Sequence, residues 1–70
     1  MPIRPAAYVT AYLAERDVIV TDVSRLRDGS YEIWAQGVRV NVGAPGTPDQ
    51  VVGWAHHAAD QVVERLGKRM

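Results

Sequence analysis

Two dipeptides, Asp28-Gly29 and Gln36-Gly37, constrain what this chain can fold into more than any other feature. They separate three runs of strand-forming residues in the stretch from Val18 to Gly43. Asp-Gly favours a two-residue type I′ hairpin loop, because both loop positions then need φ > 0. A loop at 28–29 sets Arg27 opposite Ser30. Pairing then runs outward as Leu26–Tyr31, Arg25–Glu32, Ser24–Ile33, Val23–Trp34 and Asp22–Ala35. A second such loop at Gln36-Gly37 pairs Ala35 with Val38, Trp34 with Arg39, Ile33 with Val40 and Glu32 with Asn41. The alternative is one long second strand bulged at Gly37, which gives two strands in place of three.

Side chains alternate between the faces of a strand, so this register sorts the residues. One face collects Val18, Val20, Leu26, Tyr31, Ile33, Ala35, Val38, Val40 and Val42. The other collects Thr21, Arg25, Arg27, Ser30, Glu32, Gln36, Arg39 and Asn41 with Ile19, Val23 and Trp34 among them. Asp22 and Ser24 fall on the apolar face, which points to a bulge near Asp22 or to a poorly buried edge strand.

Helical patterns flank the meander. From Pro5 to Arg16, Ala6, Val9, Tyr12 and Leu13 share one face, and Pro5 suits the first helical position. Ala7, Ala11 and Ala14 line the opposite side. That stripe reads either as helix propensity on an open surface or as a smooth face for close packing against another chain. After Gly43-Ala44-Pro45-Gly46, Thr47-Pro48-Asp49-Gln50 reads as a capped helix start, with a capping box between Thr47 and Gln50. The helix should end at Leu66 with Gly67 as its stop and Lys68-Arg69 beyond. Its apolar face comprises Val51, Val52, Ala55, Ala58, Ala59, Val62 and Leu66.

The expectation is a single α+β domain over residues 1–70 in the order α-β-β-β-α. It has a short lead-in over Met1 to Arg4, helices at 5–16 and 48–66, and strands at 18–27, 30–36 and 38–43. Two helices on one face of a three-stranded antiparallel meander cover its apolar side and leave the other open.

Eight basic and eight acidic residues cancel, which argues against a generic polyanion binder. The chain has no cysteine, so neither disulfides nor thiolate metal sites can support so small a core, and oligomerisation is a way to add buried area. No apolar run approaches membrane-spanning length and no signal-peptide pattern opens the chain, so a cytoplasmic protein without membrane contact is expected. Adjacent His56 and His57 point about 100° apart on a helix and cannot grip one ion. His56 and Asp60, four apart, read as a solvated pair. Ser24 and Ser30 have no evident base. No catalytic residue, metal site or cofactor is expected.

The outer sheet face is the candidate site, formed by Trp34 and Arg39 with Arg25, Arg27, Val23, Gln36 and Asn41 around them. Tryptophan and arginine dominate binding hot spots, and they also suit nucleic-acid contacts. The bland reading is a Trp34 that covers Val23 and stacks on Arg39.

The helix–three-strand–helix order at this length resembles the double-stranded-RNA-binding domain over nearly the whole chain. That family has a lysine-rich run at the start of its second helix, where this chain has Pro48-Asp49-Gln50-Val51. It also has a longer loop in place of Asp28-Gly29. Relatives of the scaffold lacking the basic residues look like protein-interaction or dimerisation modules. Residues 25–66, with Arg27-Asp28-Gly29-Ser30-Tyr31-Glu32-Ile33, another strand and a helix, also look like the arm-site DNA-binding domains of phage-type integrases. That resemblance implies a sheet laid in the major groove through Arg25, Arg27, Trp34 and Arg39, with Glu32 and the leading helix departing from the pattern. The functional expectation is a non-enzymatic module. It binds a protein, a second copy included, through the open sheet face or a strand edge. A small DNA-binding accessory protein using the same face is the alternative.

Overall fold

A computed structural model describes residues 4–67, so the rest of the expected lead-in (1–3) and Lys68-Arg69 lie outside it. The order is α1 (Pro5–Ala14), β1 (Val20–Arg25), β2 (Tyr31–Ala35), β3 (Val38–Val42), a 3₁₀ turn (Pro48–Gln50) and α2 (Val51–Leu66). The strands form one antiparallel sheet in the order β1-β2-β3. The α-β-β-β-α meander expected from the turns is therefore present.

The second hairpin follows the sequence reading. Gln36 and Gly37 both take positive φ, 48° and 90°, and Trp34 pairs with Arg39 and Ile33 with Val40. Gly37 is a turn residue and not a bulge.

The first hairpin differs by one residue. Asp28 keeps a negative φ and only Gly29 is left-handed, at 91°. Leu26 N–H donates to the Ser30 carbonyl at 2.8 Å, and Gly29 N–H donates to the Leu26 carbonyl at 3.0 Å. The loop is thus Arg27-Asp28-Gly29, a type I turn closed by a glycine bulge. The cause is local. Ser30 donates from both its hydroxyl and its backbone N–H to Asp28 Oδ1, at 2.6 and 2.9 Å, which holds the carboxylate over the turn. The same bonds, the hydroxyl first, hold the Asp28 carboxyl below its ordinary pKa of 3.8. A lowered folded-state pKa means this contact stabilises fully above the ordinary carboxylate pKa and is lost as pH falls through the lowered value. In Ser30→Ala the Asp28 pKa should rise toward 3.8, read by carboxyl NMR titration. An unmoved pKa would discard the hydroxyl as the cause.

A one-residue slip reverses the faces of the whole strand. Arg25 now lies opposite Tyr31, Val23 opposite Ile33, and Asp22 opposite Trp34. The expected placement of Val23 and Arg25 on the outer face is therefore corrected, since both belong to the helix side. The register breaks between Val20 and Asp22, so Val20 also points to the helices, opposite Ala35. The bulged residue is Thr21, whose hydroxyl donates to the Trp34 carbonyl at 3.1 Å. The slip brings Asp22 and Ser24 to the solvent face and Val23 to the core, and the bulge returns Val20 to the core side where the sequence pattern places it.

α1 buries Val9 and Leu13 and ends in a tight reversal. Val18 N–H donates to the Leu13 carbonyl at 3.0 Å and Asp17 N–H to the Ala14 carbonyl at 3.1 Å. This is a Schellman cap, with Asp17 in the left-handed position (φ 63°) that glycine usually fills. Its hydrophobic contact joins Leu13 to Val18, both fully buried. α2 lies over β3 and beside α1, and α1 rests against β1. Val9, Leu13, Val18, Ile33, Val40 and Val62 anchor the shared core. Buried alanines at 55, 58 and 59 let α2 sit close on the sheet. Val52, expected on that face, is 39% exposed because the buried stripe follows 51, 55, 58, 59 and 62.

Candidate partner-binding face

β2 runs through the middle of the sheet, so Trp34 stands at the centre of the face that no helix covers. The indole is 40% exposed. Arg39, directly opposite on β3, places its guanidinium carbon 5.5 Å from the indole centroid and pairs with Glu32 at 3.4 Å. Glu32 and Trp34 are two apart on one strand and so share a face. Arg39 thereby bridges an aromatic ring and a carboxylate, which fixes its direction without burying it.

The rim is ordered by short polar bonds. Asn41 Nδ2 donates to Ser30 Oγ at 3.2 Å and to the Tyr31 carbonyl at 3.4 Å. Ser24 Oγ donates to Asp22 Oδ2 at 2.8 Å. The Gln36 side chain accepts from Ile19 N–H at 2.9 Å, which ties the start of the first hairpin to the second turn. Gln36 is therefore a structural clasp more than a contact residue. Ile19, held in this way, is 62% exposed, and Leu26 at the opposite end of the face is 36% exposed. Trp34, Ile19 and Leu26 place apolar surface along a face whose charges are Asp22, Glu32 and Arg39.

No family model, curated protein or solved structure matches this chain. The face must be read from its own chemistry.

Of the seven residues expected at the site, Trp34, Arg39 and Asn41 come together on the outer face, with Gln36 at its edge. Arg27 belongs to the first turn. Val23 packs against the core, and Arg25 lines an open depression of about 290 Å³ with Tyr31, Thr47 and Pro5 on the helix side. Asp22, Ser24 and Leu26 are the face residues that sequence reasoning placed on the other side. The one available signal was the misfit of Asp22 and Ser24 among apolar neighbours.

His56 stacks on Tyr12, ring centroids 4.4 Å apart, in place of the expected pairing with Asp60. The same Tyr12 ring carries the Arg16 guanidinium at 3.7 Å. Among the described residues no group of three or more His, Cys, Asp or Glu could hold a metal ion, and no helix is long and apolar enough to cross a membrane. Trp54 donates its indole N–H to the Gly43 carbonyl and meets Tyr31 edge-on at 5.2 Å. It thus pins the loop after β3 to α2, a structural role distinct from that of Trp34.

Proposed function

We propose that this chain is a non-catalytic binding module that docks a protein partner on its outer sheet face, with Trp34 at the centre and Arg39 beside it. The supporting observation is the 40% exposed indole on the middle strand of an uncovered sheet, with Ile19 and Leu26 extending the apolar surface. Exposed apolar surface concentrated in this way marks interaction sites. Charge weighs against DNA. Arg25 points to the helix side, Arg39 is engaged by Glu32, and Asp22 stands opposite Trp34. A face with two carboxylates and one paired guanidinium repels a phosphate backbone more than it attracts one.

The test replaces Trp34 with a photo-crosslinking benzoylphenylalanine in the source cell and places the same probe at exposed His57 on α2 as a control. Adducts from position 34 should contain a second polypeptide and should exceed those from position 57. Nuclease-sensitive adducts, or equal labelling from both positions, would overturn the reading.

A further inference from the structure

β1 is an edge strand, and the side away from β2 is open. The Leu26–Ser30 bond fixes which of its backbone groups are free. Hydrogen-bonded and non-bonded pairs alternate along an antiparallel ladder. Ser24 and Asp22 are therefore bonded to β2, while the N–H and C=O of Val23 and Arg25 point off the edge. Natural proteins blunt such an edge with a covering element, inward-pointing charges or a bulge. Here the bulge lies at Thr21, beyond the open segment, the inward charge is Arg25 alone, and α1 meets β1 across an open groove. Between α1 and β1 runs a groove of about 580 Å³ lined by Ala7, Ala11 and Ala14 on one side and Val20, Thr21 and Val23 on the other.

We infer that this edge is a two-fold interface between copies of this chain, with β1 pairing antiparallel to β1 in a six-stranded sheet. The inference stands apart from the Trp34 face and does not depend on it. Register follows from the free groups. The only two-fold pairing that uses both Val23 and Arg25 is centred on Ser24. Val23 then bonds to Arg25 of the second copy and Arg25 to its Val23, making four backbone hydrogen bonds within the regular part of the strand. Ser24 faces Ser24 across the axis, and the bulge stays outside the ladder.

Charge favours a second copy over an unrelated strand. α1 runs antiparallel to β1, since Pro5 lies near Arg25 and Ala14 near Val20. One end of the open side therefore carries Arg4 and Arg27, and the other carries Glu15 and Asp17. A two-fold axis normal to the sheet lays the basic end of each copy on the acidic end of the other, the self-complementarity an isologous contact requires. Arg16, the exception at the acidic end, is turned onto Tyr12, and Asp28, the exception at the basic end, is engaged by Ser30.

The helices set a steric condition that this sequence meets. Six strands at about 4.8 Å span roughly 24 Å between outer axes, whereas four helices at about 8–10 Å span roughly 24–30 Å. They fit only if the two copies of α1 approach at the short end of that range. Exposed alanines at 7, 11 and 14 are the side chains that allow this.

The chain has no cysteine, so Ser24→Cys introduces a single thiol. Ser24 across the axis would be a non-hydrogen-bonded pair, with Cα atoms about 4.5 Å apart, within disulfide range. Mild oxidation of Ser24→Cys should give a covalent dimer nearly to completion, while Asn41→Cys, exposed on the far edge strand, stays monomeric. Sedimentation of the unmodified chain should show mass rising with concentration toward twice 7.7 kDa. Ala11→Glu, at an exposed helix position, should hold it at the monomer with an unchanged circular dichroism spectrum. A monomer at all concentrations, or a dimer in which Asn41→Cys crosslinks as readily as Ser24→Cys, would overturn the inference.

Discussion

Ile33→Ala should leave much of the population unfolded at room temperature. Ile33 is fully buried at the middle of the sheet, opposite Val23 on one side and Val40 on the other. Truncating such a side chain costs about 2–5 kcal/mol, because the lost transfer energy is joined by that of the cavity left behind. A chain of 70 residues without a disulfide rarely has more than about 3–5 kcal/mol in reserve. The two figures are comparable, so the substitution consumes most of the stability. Val52→Ala supplies the contrast, since its side chain is 39% exposed and its loss should be worth within about 0.5 kcal/mol. Urea melts read both. Equal midpoints for the two variants would mean that the centre of the core is elsewhere.

How far the chain could be read from its residues depended on where the deciding interaction lay. The Gln36-Gly37 turn and the pairing of β2 with β3 were legible because both turn residues take the positive φ that the hairpin demands. Asp28-Gly29 carries the stronger hairpin signal, yet its register was misread by one residue. There the Ser30 hydroxyl and amide recruit the Asp28 carboxylate, and this selects the longer loop. A serine two residues after an aspartate was the sign, and it competes with the left-handed preference of Asp-Gly. Everything misplaced at the site followed from that slip. Val23 and Arg25 were read as partners of Trp34, whereas Asp22 holds that position. The misfit of Asp22 and Ser24 on an apolar face pointed to a bulge near Asp22 or to a poorly buried edge strand. A bulge does lie beside Asp22, but it is the hairpin slip that turns these two residues outward. The stop of α1 was not legible, because Asp17 fills a left-handed cap position that sequence patterns reserve for glycine. The role of Trp54 was not legible, since its acceptor, the Gly43 carbonyl, lies in a loop that periodicity does not describe.

Trp34→Ala should weaken binding of the protein partner by ~2 kcal/mol or more, about thirtyfold, as for a desolvated hot-spot aromatic. The expectation rests on position as well as residue type. The indole lies at the centre of the face, where a docked partner excludes water, and Ile19 and Leu26 extend its apolar surface. Arg39→Ala should cost less, because the side chain is 59% exposed and already shares its charge with Glu32. Both effects should change little with salt, since apolar burial supplies most of the binding energy and is not screened by ions. A nucleic-acid partner would invert this order. Arg39 would then outweigh Trp34 in the salt response, each phosphate-contacting arginine lowering the logarithmic slope by about one when removed. Titrations of the two variants at two salt concentrations separate these cases. Trp34 fluorescence, read in a Trp54→Phe background that leaves it the sole indole, follows the contact directly. An affinity unchanged by Trp34→Ala would leave the ring as a cover for the sheet and its cation–π partner for Arg39. The uncovered face would then lose its claim as the docking surface.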